Sequence, residues 1–197
     1  MWERLSERLE GRLVVLEPLE RRHEEPLWEA ASDPDVWRFM TTVAGASRQD
    51  FRGWVEEALA GAARGERVPF ATVLRDGRPV GSTSFLTLRP EHRGLEVGHT
   101  WLARPAWGTG ANAEAKLLLL EHAFGELGCI RVEFKTDARN ERARAALAAI
   151  PARFEGIHRK HMLVRGGELR DSAYYAVTDD EWPAVRSALR ARVAARL

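Results

Sequence analysis

The chain has 197 residues, of which 45% are hydrophobic and 30% charged, a length and balance that fit one soluble globular domain with a sizeable core. A formal net charge of +1 gives no basic excess of the kind that marks a nucleic-acid binder, and no apolar run approaches a membrane span. The single cysteine, Cys129, excludes an internal disulfide framework and points to a reducing, cytoplasmic setting; the opening "MWERLSERLEGRL", charged throughout, does not read as a secretion signal.

In chain order, "GRLVVLEPL" predicts a first strand over 12–16. "RRHEEPLWEAASDPDVWRFM" reads as helical pieces broken at Pro26 and Pro34. Ser47 and Asp50 form a candidate capping box, opening a helix whose apolar stripe is Phe51, Trp54, Val55 and Leu59. Trp28, Trp37 and Trp54 read as core. "PFATVLRDGRPVGSTSFLTL" is a hairpin, with Asp76-Gly77 predicting a type I′ turn. "LEVGHTWLA" is a further strand, followed by "RPAWGTG" and the apolar helix "ANAEAKLLLLEHAF". "CIRVEFKTD" is another strand, with Cys129 as a small buried hydrophobe. "NERARAALAAI" is a short helix ending before Pro151. "RFEGIHRKHMLV" and "LRDSAYYAV" make a second hairpin through "RGGE", and a terminal helix over 179–197 starts behind a Thr178/Glu181 capping box. This order predicts one mixed α/β domain over 1–197, with a largely antiparallel sheet flanked by helices.

The stretch "WGTGANAEA" has the features of an anion cradle. A helix mouth carries unpaired N–H groups and positive dipole, and glycine lets a backbone approach a ligand with positive φ. The same residues also describe an ordinary strand-to-helix turn. Ala113 excludes the dinucleotide fingerprint, and the absence of Gly-Lys-Ser/Thr excludes a Walker loop.

"EVGHTWL", "WGTGANAEA", "TDARNERA" and "FEGIHRKHM" together resemble the GCN5-related N-acetyltransferases, the GNAT family, and most of all the branch of RimJ/RimL-type ribosomal-protein acetyltransferases. The resemblance covers about residues 10–182. It implies a splayed, mostly antiparallel sheet and acetyl-CoA as acetyl donor, with no metal. It assigns the pyrophosphate to Trp107, Gly108, Thr109, Gly110, Ala111 and Asn112. The pantetheine arm falls to the backbone of Trp101, Leu102 and Ala103, with Asn140 contacting that arm. The implied acceptor is a primary amine, on a protein N-terminus or a small molecule, and a homodimer is among the implied assemblies. Arg38, Phe39 and Met40 would border the acceptor pocket.

Acetyl transfer from a thioester needs a neutral amine, a polarised carbonyl and a proton for the leaving thiolate. Free α-amino groups titrate near ~8 and lysines near ~10, so a base has work to do. Glu96 is the candidate base, and a backbone N–H of 101–103 would polarise the carbonyl. Two residues depart from the family pattern. Ala143 stands where a serine often faces the thiolate, and Ile150-Pro151 replaces the usual Leu-Gly at the helix end. Tyr174 or Tyr175 could supply the missing acid, but alternation lets only one face the cleft, and Tyr175 is the candidate. These departures motivate an alternative, a CoA-binding module with little catalysis. In "HRKH", His158 and Lys160 are expected on one face of a solvated edge, with Arg159 and His161 on the other. His99, His122 and His161 show no metal-ligand spacing.

Overall fold

The computed structural model describes residues 2–197. Among these, eight strands form one sheet in the order β1-β2-β3-β4-β5-β6-β8-β7. The strands are β1 (Leu9–Glu10), β2 (Val14–Pro18), β3 (Arg67–Leu74), β4 (Pro79–Arg89), β5 (Gly94–Leu102), β6 (Arg131–Asp137), β7 (Arg153–Val164) and β8 (Glu168–Thr178). Every pairing is antiparallel except β5 with β6. The helices are α1 (Glu24–Ala31), α2 (Pro34–Trp37), α3 (Arg48–Ala63), α4 (Ala111–Glu121), α5 (Glu141–Ala149) and α6 (Trp182–Ala194). The predicted mixed, mostly antiparallel, open sheet flanked by helices is the observed architecture.

Two apolar cores lie on the two faces of the sheet. One joins α4, α5 and α6 to Phe70, Phe85, Leu95, Val97, Val132 and Phe134. The other joins α1, α2 and α3 to Ala71, Val73 and Trp101, and it is aromatic: Trp37, Phe51 and Trp54 lie 5.2, 6.1 and 5.6 Å from the Trp101 ring. Cys129 is buried, and burial pushes its thiol up to about 11.

Several sequence expectations shift for local reasons. The first long strand starts at Val14, not at 12, because the N–H groups of Arg12 and Leu13 go to the Glu114 carboxylate instead of a strand neighbour. Pro26 does not break α1. It lies in the first turn, where its missing N–H would have had no helical partner. Pro34 opens α2 behind Asp33, whose side chain accepts from Asp35 N at 3.0 Å.

The Asp76-Gly77 hairpin is closed by Gly77 N to Leu74 O at 2.9 Å. Only Gly77 has positive φ (89°), so a type I turn with a glycine bulge replaces the expected I′ turn. The terminal helix begins at Trp182 and not at 179, although Glu181 does reach back to accept from Thr178 N at 3.1 Å. At Pro151 the helix end is closed by Ala152 N to Leu147 O at 3.1 Å, without a residue of positive φ.

The β7 edge also departs from simple alternation. Ser172 pairs with His158 and Arg170 with Met162, so three residues of β7 stand opposite Asp171. Lys160 takes φ 50° there, and its N–H donates to Asp171 Oδ1 at 2.7 Å. The bulge brings His158 and His161 to the same side, around Tyr174, at ring distances of 4.1 and 5.6 Å. The expected His158/Lys160 and Arg159/His161 faces do not form, though residues 158–160 are exposed as expected.

One buried carboxylate ties the N-terminal strands to α4. Glu114, 3% exposed, accepts from Arg12 N at 2.8 Å, Leu13 N at 2.6 Å and Val14 N at 2.7 Å. A Cβ on Gly11 would stand 2.4 Å from that carboxyl, so the turn can approach only as glycine. Replacing Glu114 with Gln puts an amide donor against three N–H groups. The expected loss of stability is about 3 kcal/mol, read by urea denaturation.

Candidate active site

The parallel β5–β6 ladder has only three pairs, Gly94–Arg131, Leu95–Val132 and Glu96–Glu133. Beyond them the strands separate. β5 runs on to Leu102 still paired with β4, and β6 runs on to Asp137 paired with β8. A bulge marks the divergence: His99 and Thr100 together oppose Thr83, and His99 sits at φ 46°. A cavity of about 710 Å³ passes through the fork, lined from both faces of the sheet.

Glu96 lies at the base of the fork and is 5% exposed. Lys135 Nζ is 3.3 Å from its Oε2, and Thr87 Oγ1 donates to the same oxygen at 3.3 Å. Gly108 and Gly110, with φ of 75° and 100°, form the turn into α4. Thr109 Oγ1 braces that turn by donating to Ala106 O at 2.8 Å. Asn112 Oδ1 is buried and has no hydrogen-bond partner, and neither has Trp101 Nε1.

The cavity thus gathers Glu96, Trp101, Leu102, Trp107, Gly108, Gly110, Asn112 and Asn140. Thr109, Ala111 and Ala103 do not line it, and Ala103 N donates to Val80 O at 2.7 Å. Leu102 O accepts from Trp107 Nε1 at 2.8 Å. Asn140 is the N-cap of α5, its Oδ1 accepting from Ala143 N at 3.1 Å.

Tyr175 is not brought to the cleft. It is 5% exposed, stands opposite Phe134, packs its ring at a tilt of 59° against Phe154 and accepts from Arg144 Nε at 3.2 Å. The two tyrosines do alternate, and it is Tyr174, paired with Lys135, that lies on the Glu96 face. Its hydroxyl is held by His161 Nε2 at 3.1 Å.

Among the cavity residues that escaped the sequence reading as site residues are Lys116, His99, Arg67 and Arg170. Lys116 is 6% exposed in α4, and its Nζ donates to Thr100 Oγ1 at 2.7 Å. Thr100 in turn shares a 2.8 Å bond with Thr83. No carboxylate lies within ion-pair distance of Lys116 among the described residues, and burial alone lowers its pKa to about 7. Its signal in the sequence was one lysine before four leucines. His99, first by burial and then by Arg67, Lys135 and Arg170, is lowered to about 4 and is neutral at pH 7. Arg67 and Arg170, far apart in sequence, carry no motif.

The fold is a mixed α/β one whose sheet opens between β5 and β6 into a cavity that ends at the glycine turn into α4. Residues 13–151 match the model of the acetyltransferase (GNAT) domain, and the chain belongs to that acetyltransferase family. A solved structure from T. thermophilus is 40% identical, with 98% of this chain and 99% of that one covered and a TM-score of 0.89. The uncharacterized N-acetyltransferase YnaD of Bacillus subtilis (strain 168) is 26% identical, over 87% of this chain and 96% of its own. Mycobacterium smegmatis RimJ, solved in complex with CoA-disulfide, shares the fold at 24% identity and a TM-score of 0.81, with 97% and 96% covered. No helix is long and apolar enough to cross a membrane, and no group of three His, Cys, Asp or Glu among the described residues could hold a metal ion.

The state of Lys116 has a measurable signature. An unfolded lysine titrates near ~10.4 and the folded one at about 7, so the folded chain binds fewer protons between those values and stability rises with pH there. Lys116→Met removes a buried charge whose cost is full below pH 7. Its melting temperature is expected to exceed wild type most at pH 6, the gap narrowing toward pH 10, as followed by scanning calorimetry at a series of pH values.

Proposed function

We propose that the chain transfers the acetyl group of acetyl-CoA directly to a primary amine in a ternary complex at the β5–β6 fork. The observation that carries this reading is the fork itself, an unpaired strand edge that ends in a glycine turn and a helix mouth. The residues present fit the donor. The first N–H groups of α4 and the turn at Gly108 and Gly110 suit a pyrophosphate. The unpartnered Asn112 Oδ1 and Trp101 Nε1 lie along the path from that turn to Glu96. Arg142, Arg192 and Arg196 line the same end of the cavity and supply positive charge for phosphates. Leu102, its carbonyl already taken by Trp107 Nε1, would meet the pantetheine arm through its N–H, and Asn140 lines the same cavity.

Bound acetyl-CoA supplies an activated acetyl group. Glu96 takes the proton that the acceptor nitrogen loses as it bonds to the acetyl carbon. The carbon–sulfur bond breaks and its electron pair leaves on the thiolate, which takes a proton from water. Ala143 has no hydroxyl to give, and Arg144 holds the Tyr175 hydroxyl outside the cavity. Backbone N–H groups on the open edge of β5 polarise the carbonyl. Ala143 and the placement of Tyr175 also favour a second reading, a CoA-binding module with little turnover. Thiol release with an amine separates the two.

Gly108 has open space around it, although any side chain is strained at its φ of 75°, so Gly108→Asp is compared with Gly108→Asn, which carries the same strain without the charge: the Asp variant is expected to bind acetyl-CoA at least tenfold more weakly than the Asn variant, and equal affinities in isothermal calorimetry would count against the phosphate site. Glu96→Gln is expected to lower kcat about 100-fold with acetyl-CoA affinity kept, read by thiol release and calorimetry on the same preparation.

A further inference from the structure

Arg67 opens β3 and Arg170 lies on β8, on opposite sides of the fork. Both line the cavity, on the sheet face that carries Glu96. Neither has a carboxylate within ion-pair distance among the described residues. Arg67 Nη2 donates to Ser84 Oγ at 3.0 Å, while its Nε is buried without a partner. Arg170 is 5% exposed, and no group among the described residues accepts from its guanidinium; its Nε is also buried and unpartnered.

The neighbouring carboxylates are already engaged. Glu96 faces Lys135, and Asp137 receives Arg139 through N, Nε and Nη2 at 2.9, 3.0 and 2.8 Å. A guanidinium held dry and unpaired, as in Arg170, is costly to a fold, and so is the buried, unpartnered Nε of the half-buried Arg67. They make sense where an anion arrives to complete them, since a guanidinium fork matches a carboxylate. The anion is not the donor's phosphate, whose cradle opens at α4 on the other face of the sheet.

The acceptor end is also covered. Arg165, at the β7–β8 tip, donates through its side chain to Met40 O and through its N–H to Thr41 O at 3.4 Å. Phe39, Met40 and Thr41 line the cavity beneath this clasp. An extended peptide leaving the site would have to part it.

We infer that the acceptor is a small primary amine bearing a carboxylate, of the amino-acid class, its carboxylate bound by Arg67 and Arg170 while its nitrogen faces Glu96. This rests on the acetyltransferase reading above. The products are the N-acetyl amino acid and CoA thiol.

The test is thiol release from acetyl-CoA with a panel of amino acids, each beside its amide and its decarboxylated amine, together with N-terminal peptides. Carboxylated acceptors are expected to show at least tenfold higher kcat/KM than their neutral partners. Arg170→Gln should erase that preference through KM with kcat kept, Arg170→Lys should restore part of it, and Arg67→Gln should act in the same direction. The melting temperature of Arg170→Gln should not fall, since a residue kept only for structure would leave a less stable protein. Calorimetry with N-acetyl amino acids against their methylamides gives the same preference without turnover. Equal use of neutral amines, turnover of peptides alone, no acceptor from the panel, or a preference untouched in Arg170→Gln overturns the inference. Acetyl-CoA binding measured in parallel separates the failures: if it persists, only the acceptor class is wrong, and if it is absent, the acetyltransferase reading falls too.

Discussion

The structure depends on where two parallel strands stop pairing. Backbone N–H and C=O groups inside a protein are nearly always matched, yet β5 and β6 abandon each other after Glu96 and Glu133 while each keeps its other neighbour. The separation is fixed from outside. The His99–Thr100 bulge bends β5 toward β4, and the β6–β8 ladder holds β6 on its own course. The cavity is what this mismatch leaves. Its length, its exposed strand edge and the carboxylate at its base all follow from one break in register.

The electrostatics of the cavity follow from the same break. Glu96, at the divergence point, faces a space that neither strand fills and finds a partner in Lys135 across it. Arg67 and Arg170 reach the same cavity from β3 and β8, and neither meets a carboxylate there among the described residues. His99, among these cations, is held neutral. Lys116 adds a further ionisable group that the apolar face of α4 has not discharged into solvent.

The architecture and the glycine turn into α4 were legible in the sequence, because strand periodicity, helix caps and the "WGTGAN" turn are local signals. Glu96, Gly108, Gly110 and Asn112 line one cavity because β5 and the turn after it carry the chain from one to the next. What was not legible depends on distant chain segments or on register. The β7 bulge moved His161 onto the side of His158, and no alternation rule anticipates an inserted residue. Alternation separates Tyr174 from Tyr175 but does not say which face β8 turns to the fork, and that face carries Tyr174. Arg67 and Arg170 are separated by most of the domain. Glu114 reads as a solvated first-turn carboxylate, and only its partners at 12–14 reveal it as a buried anchor.

That anchor also bears on how the chain acquires its shape. Glu114 sits in the first turn of the helix that follows the glycine turn, and its three partners were synthesised about a hundred residues earlier. The N-terminal strands therefore cannot settle on a ribosome until α4 has emerged, and α4 cannot hide its carboxylate until those strands return to it. Contacts of such sequence separation slow folding, and here they make the seating of α4 one of the late features to mature. A partly made or N-terminally nicked chain would carry the glycine turn in its sequence and still lack the anchor that seats the helix behind it.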